Sequence, residues 1–221
     1  MDEVFINWAT NELGGADITE RERHGDQSTV YRIRTTRDNY FLKIAPDLAA
    51  EHERLHWLEN KLPAPKVISF IHIEDKDVLL LSAIEGKNLA VLKNEWHAEK
   101  VVDKFAEALL RFHETKTRDC PFGNPGRNKV LVHGDACLPN FICNEDIFSG
   151  YIDLGNMRID TADVDLAAAV WSLDHNLGPG YGLPFLKKYG MRNPDEELVK
   201  KLKSQYETIQ NEWFPENNTG I

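Results

Sequence analysis

Only three cysteines stand in the sequence, Cys120, Cys137 and Cys143, an odd number with no paired metal-ligand spacing, which argues against a disulfide framework and a cysteine-built zinc site. That usage fits a reducing cytoplasm, the expected location. Long apolar runs are lacking as well, and none approaches the roughly 20 residues a membrane span needs. The opening residues, Met1-Asp2-Glu3-Val4-Phe5, are acidic where a secretion signal would be basic and then apolar. Positive charge is in deficit: 26 Lys and Arg against 36 Asp and Glu give a formal net charge of −10. No basic face is therefore expected, and no nucleic-acid partner. An acidic balance is compatible with a cationic small substrate, because an acidic cleft concentrates cations, although global charge by itself favours solubility as the explanation. A Gly-x-x-x-x-Gly-Lys-Ser/Thr element is missing, which argues against a P-loop enzyme, and there are no repeats or low-complexity tracts.

What is present is an ordinary globular composition, 42% hydrophobic and 28% charged, in a chain long enough for one large domain or two modest lobes. Residues 30–44 read as two short strands around a polar turn at Thr36–Asn39. Residues 49–61 follow with helical spacing, Leu55 and Leu58 on one side, until Leu62-Pro63-Ala64-Pro65 breaks the pattern. Val67–Ile73 and Val78–Leu81 form a second strand pair turning at Glu74–Asp77. The first 80 or so residues are thus strand-rich with one helix. Beyond a composition shift near Ile84–Asn88, a hinge by expectation, the character changes. Glu99–His113 places Val101, Phe105 and Leu109 at i, i+4 and i+8, a buried amphipathic helix. A Pro/Gly/Asn-rich loop spans 121–129, a hairpin joins Phe141–Cys143 to Gly150–Ile152, and the chain from Val164 onward is mostly helical. The fold class expected is α+β and bilobal, with a small antiparallel-sheet lobe over 1–84 and a larger, mainly helical lobe over 85–221.

The densest chemistry lies in Val132-His133-Gly134-Asp135-Ala136-Cys137-Leu138-Pro139-Asn140, followed after the hairpin by Ile152-Asp153-Leu154-Gly155. Phosphoryl transfer asks for a carboxylate on the attacking hydroxyl, metal ions on the phosphates and in-line geometry. An Asp followed five residues later by an Asn lets one loop supply a base and a metal ligand, and a second Asp completes a hard oxygen set suited to Mg²⁺. Singly, Asp135 reads as a surface-loop carboxylate and Asn140 as a turn residue. Together, at this spacing and between these elements, they read as a site. Cys137 has no activating partner in the sequence and reads as a packed loop residue.

These two segments resemble the aminoglycoside 3′-phosphotransferase family, and the Ala-Cys-Leu-Pro filling is more specific than the general kinase pattern. Residues 51–67 resemble the same family. The resemblance implies a protein-kinase-like fold, ATP and Mg²⁺ as cofactors, and a small cationic, hydroxylated acceptor. It implies Asp135 as catalytic base, His133 positioning the loop, Asn140 and Asp153 as metal ligands, and Asp165 in a structural role behind the site. Lys43 would hold the phosphates, with Glu51 on the next helix as its partner. Phe41 would stack on adenine from the strand face it shares with Lys43. The backbones of Ser82 and Ile84 would bond the adenine edge, and His24-Gly25-Asp26-Gln27-Ser28 would lie over the phosphates, with Gly25 and Ser28 as candidates there.

The sequence departs from the family in places. A long helical insert that helps form the antibiotic-binding wall is replaced by the short loop between Cys120-Pro121-Phe122 and Val130-Leu131-Val132-His133. Asn156 stands where Arg is frequent, with Arg158 nearby either as a compensating substrate residue or, equally, as a surface residue, and the link from Lys43 to Glu51 is short. Ile209-Gln210-Asn211-Glu212-Trp213-Phe214 resembles the family's acidic-aromatic tail, which implies Glu212 on a substrate ammonium group; a plain helix end with packed aromatics is the equal alternative. Two further readings stay open: a same-fold kinase of an amino alcohol, sugar or macrolide, and a nucleotide-binding module without catalysis.

Overall fold

The computed structural model describes residues 2–24 and 28–213, and the chain divides into two compact units, residues 1–85 and 86–221. In the first unit, helix α1 (Glu3–Glu12) precedes strands β1 (Ile18–His24), β2 (Thr29–Arg34) and β3 (Asn39–Ala45). Helix α2 (Ala49–Leu58) and strands β4 (Val67–Ile73) and β5 (Lys76–Ser82) complete it. The strands form one antiparallel sheet in the order β1-β2-β3-β5-β4. Because strand side chains alternate, Leu42 and Ile44 point with Val78 and Leu80 into one core, while Phe41 and Lys43 share the other face. β5 lies between two partners, and Val78–Leu81 are buried on both of its faces.

Helix α1 is an addition to the one-helix reading of this unit. Phe5 and Ala9, one turn apart, pack onto Tyr31, Ile33, Leu42 and Ile44, and the Tyr31 hydroxyl donates to Asp2 at 2.5 Å. The helix stops at Gly14 and Gly15, both with positive φ. Helix α2 is shorter than its apolar spacing suggests. Glu59 is extended and Asn60 takes φ 62°, so the chain leaves the helix before Pro63.

The second unit contains strand β6 (Lys87–Asn88) and helices α3 (Leu89–Leu92) and α4 (Ala98–His113). Strand β7 (Lys129–Val132), a 3-10 turn (Leu138–Asn140), and strands β8 (Phe141–Asn144), β9 (Ile147–Tyr151) and β10 (Arg158–Thr161) follow. Helices α5 (Asp163–Leu177), α6 (Gly182–Tyr189) and α7 (Glu196–Trp213) close it. Two small antiparallel sheets, β10-β7 and β6-β8-β9, lie among the helices, with α4 against α6 and α5 against α7. An aromatic core knits the hairpin to α4. Phe105 meets Phe141 edge-on at 4.7 Å and Phe112 meets Tyr151 at 4.8 Å, and the buried Tyr151 hydroxyl donates to the Ala108 carbonyl at 2.7 Å. No described helix is long and apolar enough to cross a membrane.

Candidate active site

In the first unit, Lys43 lies in β3 and Glu51 in the first turn of α2. Lys43 Nζ is 2.6 Å from Glu51 Oε2, and the carboxylate is only 6% exposed. A buried carboxylate this close holds the ammonium in one position. The start of α2 is anchored from β5: Asp77 Oδ2 accepts from the Leu48 N–H at 2.8 Å, and Asp77 Oδ1 bonds His72 Nδ1 at 2.8 Å. Burial works against ionisation of Asp77, but these bonds outweigh it and hold the carboxyl below its ordinary value. Sequence reasoning placed Asp77 in a turn; its capping role comes from a residue 29 positions away.

The remaining nucleotide-side candidates belong to the same unit. The Arg32 guanidinium lies 5.5 Å above the Phe41 ring. Ser82 closes β5, its N–H donating to the Lys66 carbonyl and its Oγ accepting from Lys66 N–H, each at 2.9 Å. Ile84 is half-buried two residues on, and Ser28 is half-buried at the entry to β2. Gly25 lies outside the described residues.

In the second unit, β7 leads directly into His133-Gly134-Asp135. Asp165, fully buried in the first turn of α5, gathers this loop. Its Oδ2 accepts from His133 N–H at 2.6 Å and from His113 Nε2 at 2.9 Å, while Oδ1 accepts from Gly134 N–H at 2.8 Å. Tyr189, whose hydroxyl is pushed up to about 12 by burial first and nearby Asp165 second, closes the far side of His113 at 2.7 Å. His113 escaped sequence reasoning, although a histidine at the end of the apolar face of α4 was its signal. Gly134 needs to be glycine: its φ is +86°, and a Cβ there would stand 2.4 Å from the Asn156 carbonyl oxygen.

His133 is fully buried and touches the loop, not solvent. Its Nε2 donates to the Ile152 carbonyl at 3.1 Å, and its Nδ1 accepts from Asp135 N–H at 3.4 Å. The ring stacks on Phe141 at 5.6 Å. It thereby ties the Asp135 loop to the residue preceding Asp153. Asn140 does the same from the 3-10 turn, its carbonyl accepting from Ile152 N–H at 3.0 Å.

Asn140 Nδ2 donates to both the carbonyl and Oδ2 of Asp135, each at 2.9 Å. Both partners are acceptors, so the amide nitrogen must face them and the amide oxygen must face away. Asp153 follows β9 with φ 61°, an exposed carboxylate in a sharp turn. The Asn140 oxygen and the Asp153 carboxylate are a hard oxygen pair that fits Mg²⁺, which takes one or two protein ligands and fills the rest with phosphate and water. Consistently, no group of three or more His, Cys, Asp or Glu among the described residues could hold a metal alone.

Of the substrate-side candidates, Asn156 is exposed beside Gly134. Arg158 is tied within its own strand and turn, donating from Nε to Asp160 Oδ2 at 3.0 Å and from an NH group to the Asn156 carbonyl at 3.2 Å. Glu212 falls in the last turn of α7, and its side chain lies outside the described part.

The sequence profile of the phosphotransferase enzyme family, APH, matches residues 19–129 and 124–201, two pieces that meet in the loop between α4 and β7. Aminoglycoside 3′-phosphotransferase of Niallia circulans is 28% identical over 253 residues, covering 90% of this chain and 97% of that protein. A namesake from Escherichia coli is 28% identical over 266 residues, covering 96% and 92%. Both alignments are longer than the 221-residue chain, so each relative carries segments with no counterpart here. Aminoglycoside phosphotransferase APH(3'')-Id from Streptomyces rimosus ATCC10970, solved in complex with ADP and streptomycin, superposes with a TM-score of 0.72 at 20% identity, covering 91% and 96%. The crystal structure of an aminoglycoside-3′-phosphotransferase of type VIII gives 0.71 at 21%, covering 90% and 97%. The fold is therefore the protein-kinase-like fold of these enzymes. With the profile matched over most of its length, the chain belongs to the phosphotransferase enzyme family.

Proposed function

We propose that the protein transfers the γ-phosphoryl group of ATP, with Mg²⁺, to the 3′-hydroxyl of an aminoglycoside. The observation that carries this reading is the Asp135 carboxylate, fixed by Asn140 on a loop that Asp165 suspends through two backbone N–H bonds. Nucleotide binding is assigned to residues 1–84 and acceptor binding and catalysis to residues 85–221. Lys43, steadied by Glu51, is placed on the α- and β-phosphates. Gly25 and Ser28 cover them, Phe41 stacks on adenine, and the backbones of Ser82 and Ile84 take the adenine edge. The Asn140 amide oxygen and Asp153 carboxylate would hold magnesium, which when bound neutralises phosphate charge and aligns the transferring group. Asp135 accepts the hydrogen bond of the acceptor hydroxyl and points its oxygen at the phosphorus. Glu212, Asn156 and Arg158 are the substrate-side residues, and the net charge of −10 is compatible with a polycationic acceptor.

A second reading, a same-fold kinase of another hydroxylated small molecule, is supported by the division of the family match into two pieces that overlap at 124–129, where the antibiotic-binding insert is expected. The test is ADP release with Mg²⁺-ATP and kanamycin, beside choline, a macrolide and a blank, with Asp135→Asn as control. Kanamycin-dependent release, lost about 10²-fold or more in the control, is expected. Release with choline or the macrolide alone moves the assignment to the second reading. Undiminished turnover by Asp135→Asn removes Asp135 from the mechanism.

A further inference from the structure

The Asp135 carboxylate is held from two sides. Its Oδ2 accepts from Asn140, a bond supplied by its own loop at 2.9 Å. Its Oδ1 accepts from the hydroxyl of Tyr206 at 3.2 Å, a bond brought by α7 from 71 residues along the chain. Tyr206 is 6% exposed, and its ring lies against Trp171 of α5 at 5.2 Å, which in turn stacks on His175 at 5.0 Å. On its other side, the phenol oxygen is 3.5 Å from the sulfur of Cys137, a buried residue of the same loop as Asp135.

We propose that Tyr206 is a positioning residue for phosphoryl transfer, its hydroxyl fixing the rotation of the Asp135 carboxylate so that a remaining lone pair addresses the acceptor hydroxyl. This rests on the reading of Asp135 given above. A carboxyl group turns about its last single bond in a broad, roughly twofold well. One donor on one oxygen restrains that rotation loosely; a second donor on the other oxygen fixes the plane. Asn140 and Tyr206 occupy two of about four acceptor positions on an ionised carboxylate, which leaves room for the substrate hydroxyl.

The direction of the chain follows from the groups. Burial first, and nearby Cys137 and Asp135 next, push the Tyr206 phenol up, and burial pushes the Cys137 thiol well up, so both keep their protons. The phenol has a single proton, and a carboxylate is a far better acceptor than a thiol sulfur. The Tyr206 proton is therefore committed to Asp135 and not to the Cys137 sulfur. A neutral donor orients the carboxylate without placing a cation beside the oxygen that must accept from substrate, as a lysine would.

Tyr206→Phe removes one oxygen and keeps the ring. With Mg²⁺-ATP and the acceptor that supports turnover, kcat is expected to fall about ten- to a hundredfold, with KM for ATP and Tm nearly unchanged. In the Asp135→Asn background, the same change should alter the residual rate less than about twofold, because the two residues act through one group. 4-Aminophenylalanine at position 206 restores a neutral N–H donor on the same ring and should return kcat to within about threefold of wild type. Wild-type kcat in Tyr206→Phe beside an inactive Asp135→Asn overturns the inference and leaves the proposed function standing. A Tyr206→Phe variant whose Tm and kinetic constants all collapse together makes the hydroxyl structural and also overturns it, as does a failed rescue. An active Asp135→Asn defeats the parent reading instead.

Discussion

Asp165→Asn is the near-isosteric change that the loop geometry should tolerate least. Both carboxylate oxygens accept from backbone N–H groups, Oδ2 from His133 and Oδ1 from Gly134, and Oδ2 also takes His113 Nε2. An amide offers one acceptor and one donor. Whichever way it is turned, its NH2 group faces a buried backbone N–H. The site is fully buried, so water cannot step in. One orphaned donor costs about 1–3 kcal/mol, and weakening the surviving bonds from charge-assisted to neutral adds about 1 kcal/mol. The expected loss is about 2–4 kcal/mol, a large share of the stability of an ordinary domain. At about 2–4 °C per kcal/mol for a chain of this size, Tm should fall by roughly 5–15 °C. Phosphoryl transfer should fall with it, since Asp135 follows the two anchored residues directly. Thermal unfolding monitored by circular dichroism, with ADP release on the same preparation, makes the measurement. A variant with wild-type Tm and wild-type kcat would refute the account of Asp165 as the suspension point.

Two other expectations concern groups outside that loop. Asp77 ionises below its ordinary value, so it stabilises the fold above about pH 4 and the contribution is lost as pH falls further. Its partner His72 is raised, chiefly by the Asp77 bond, so its share is complete below about pH 6.5 and fades as pH rises past its folded value. The Tm difference between wild type and Asp77→Asn should therefore be greatest between about pH 4 and 6.5, and a difference that is flat from pH 3 to 9 would refute the pairing. Burial raises the Cys143 thiol to about 11 and the Cys137 thiol well above its ordinary value, whereas Cys120 is half-buried. Titration of the native protein with a disulfide reagent at pH 8 should find Cys120 reactive and the other two only after denaturation; rapid native labelling of Cys137 or Cys143 would contradict their burial.

The sequence by itself determined the strand pairs of the first unit, the amphipathic α4, the hairpin before Asp153, and the spacing that marks Asp135, Asn140 and Asp153. These are local matters: alternation, helical period and turn chemistry act over a few residues, and a loop of fixed length sets where its own side chains fall. Lys43 and Glu51 were legible for a similar reason, lying on a strand and the helix that follows it. Helix α1 left a weaker trace, a Phe5/Ala9 pair ended by two glycines, because its apolar face makes sense only against the sheet it covers. What tertiary structure alone decided is which partners hold the loop and the start of α2. Asp165 on α5 reaches back 32 and 31 residues to His133 and Gly134, His113 comes to it from α4, Asp77 caps a helix 29 residues upstream, and Tyr206 reaches Asp135 across 71. Each is a polar group whose partner is brought near only by packing of elements far apart in the chain. No periodicity records such a partner, because a buried hydrogen bond depends on where two elements meet and not on the residues beside either end.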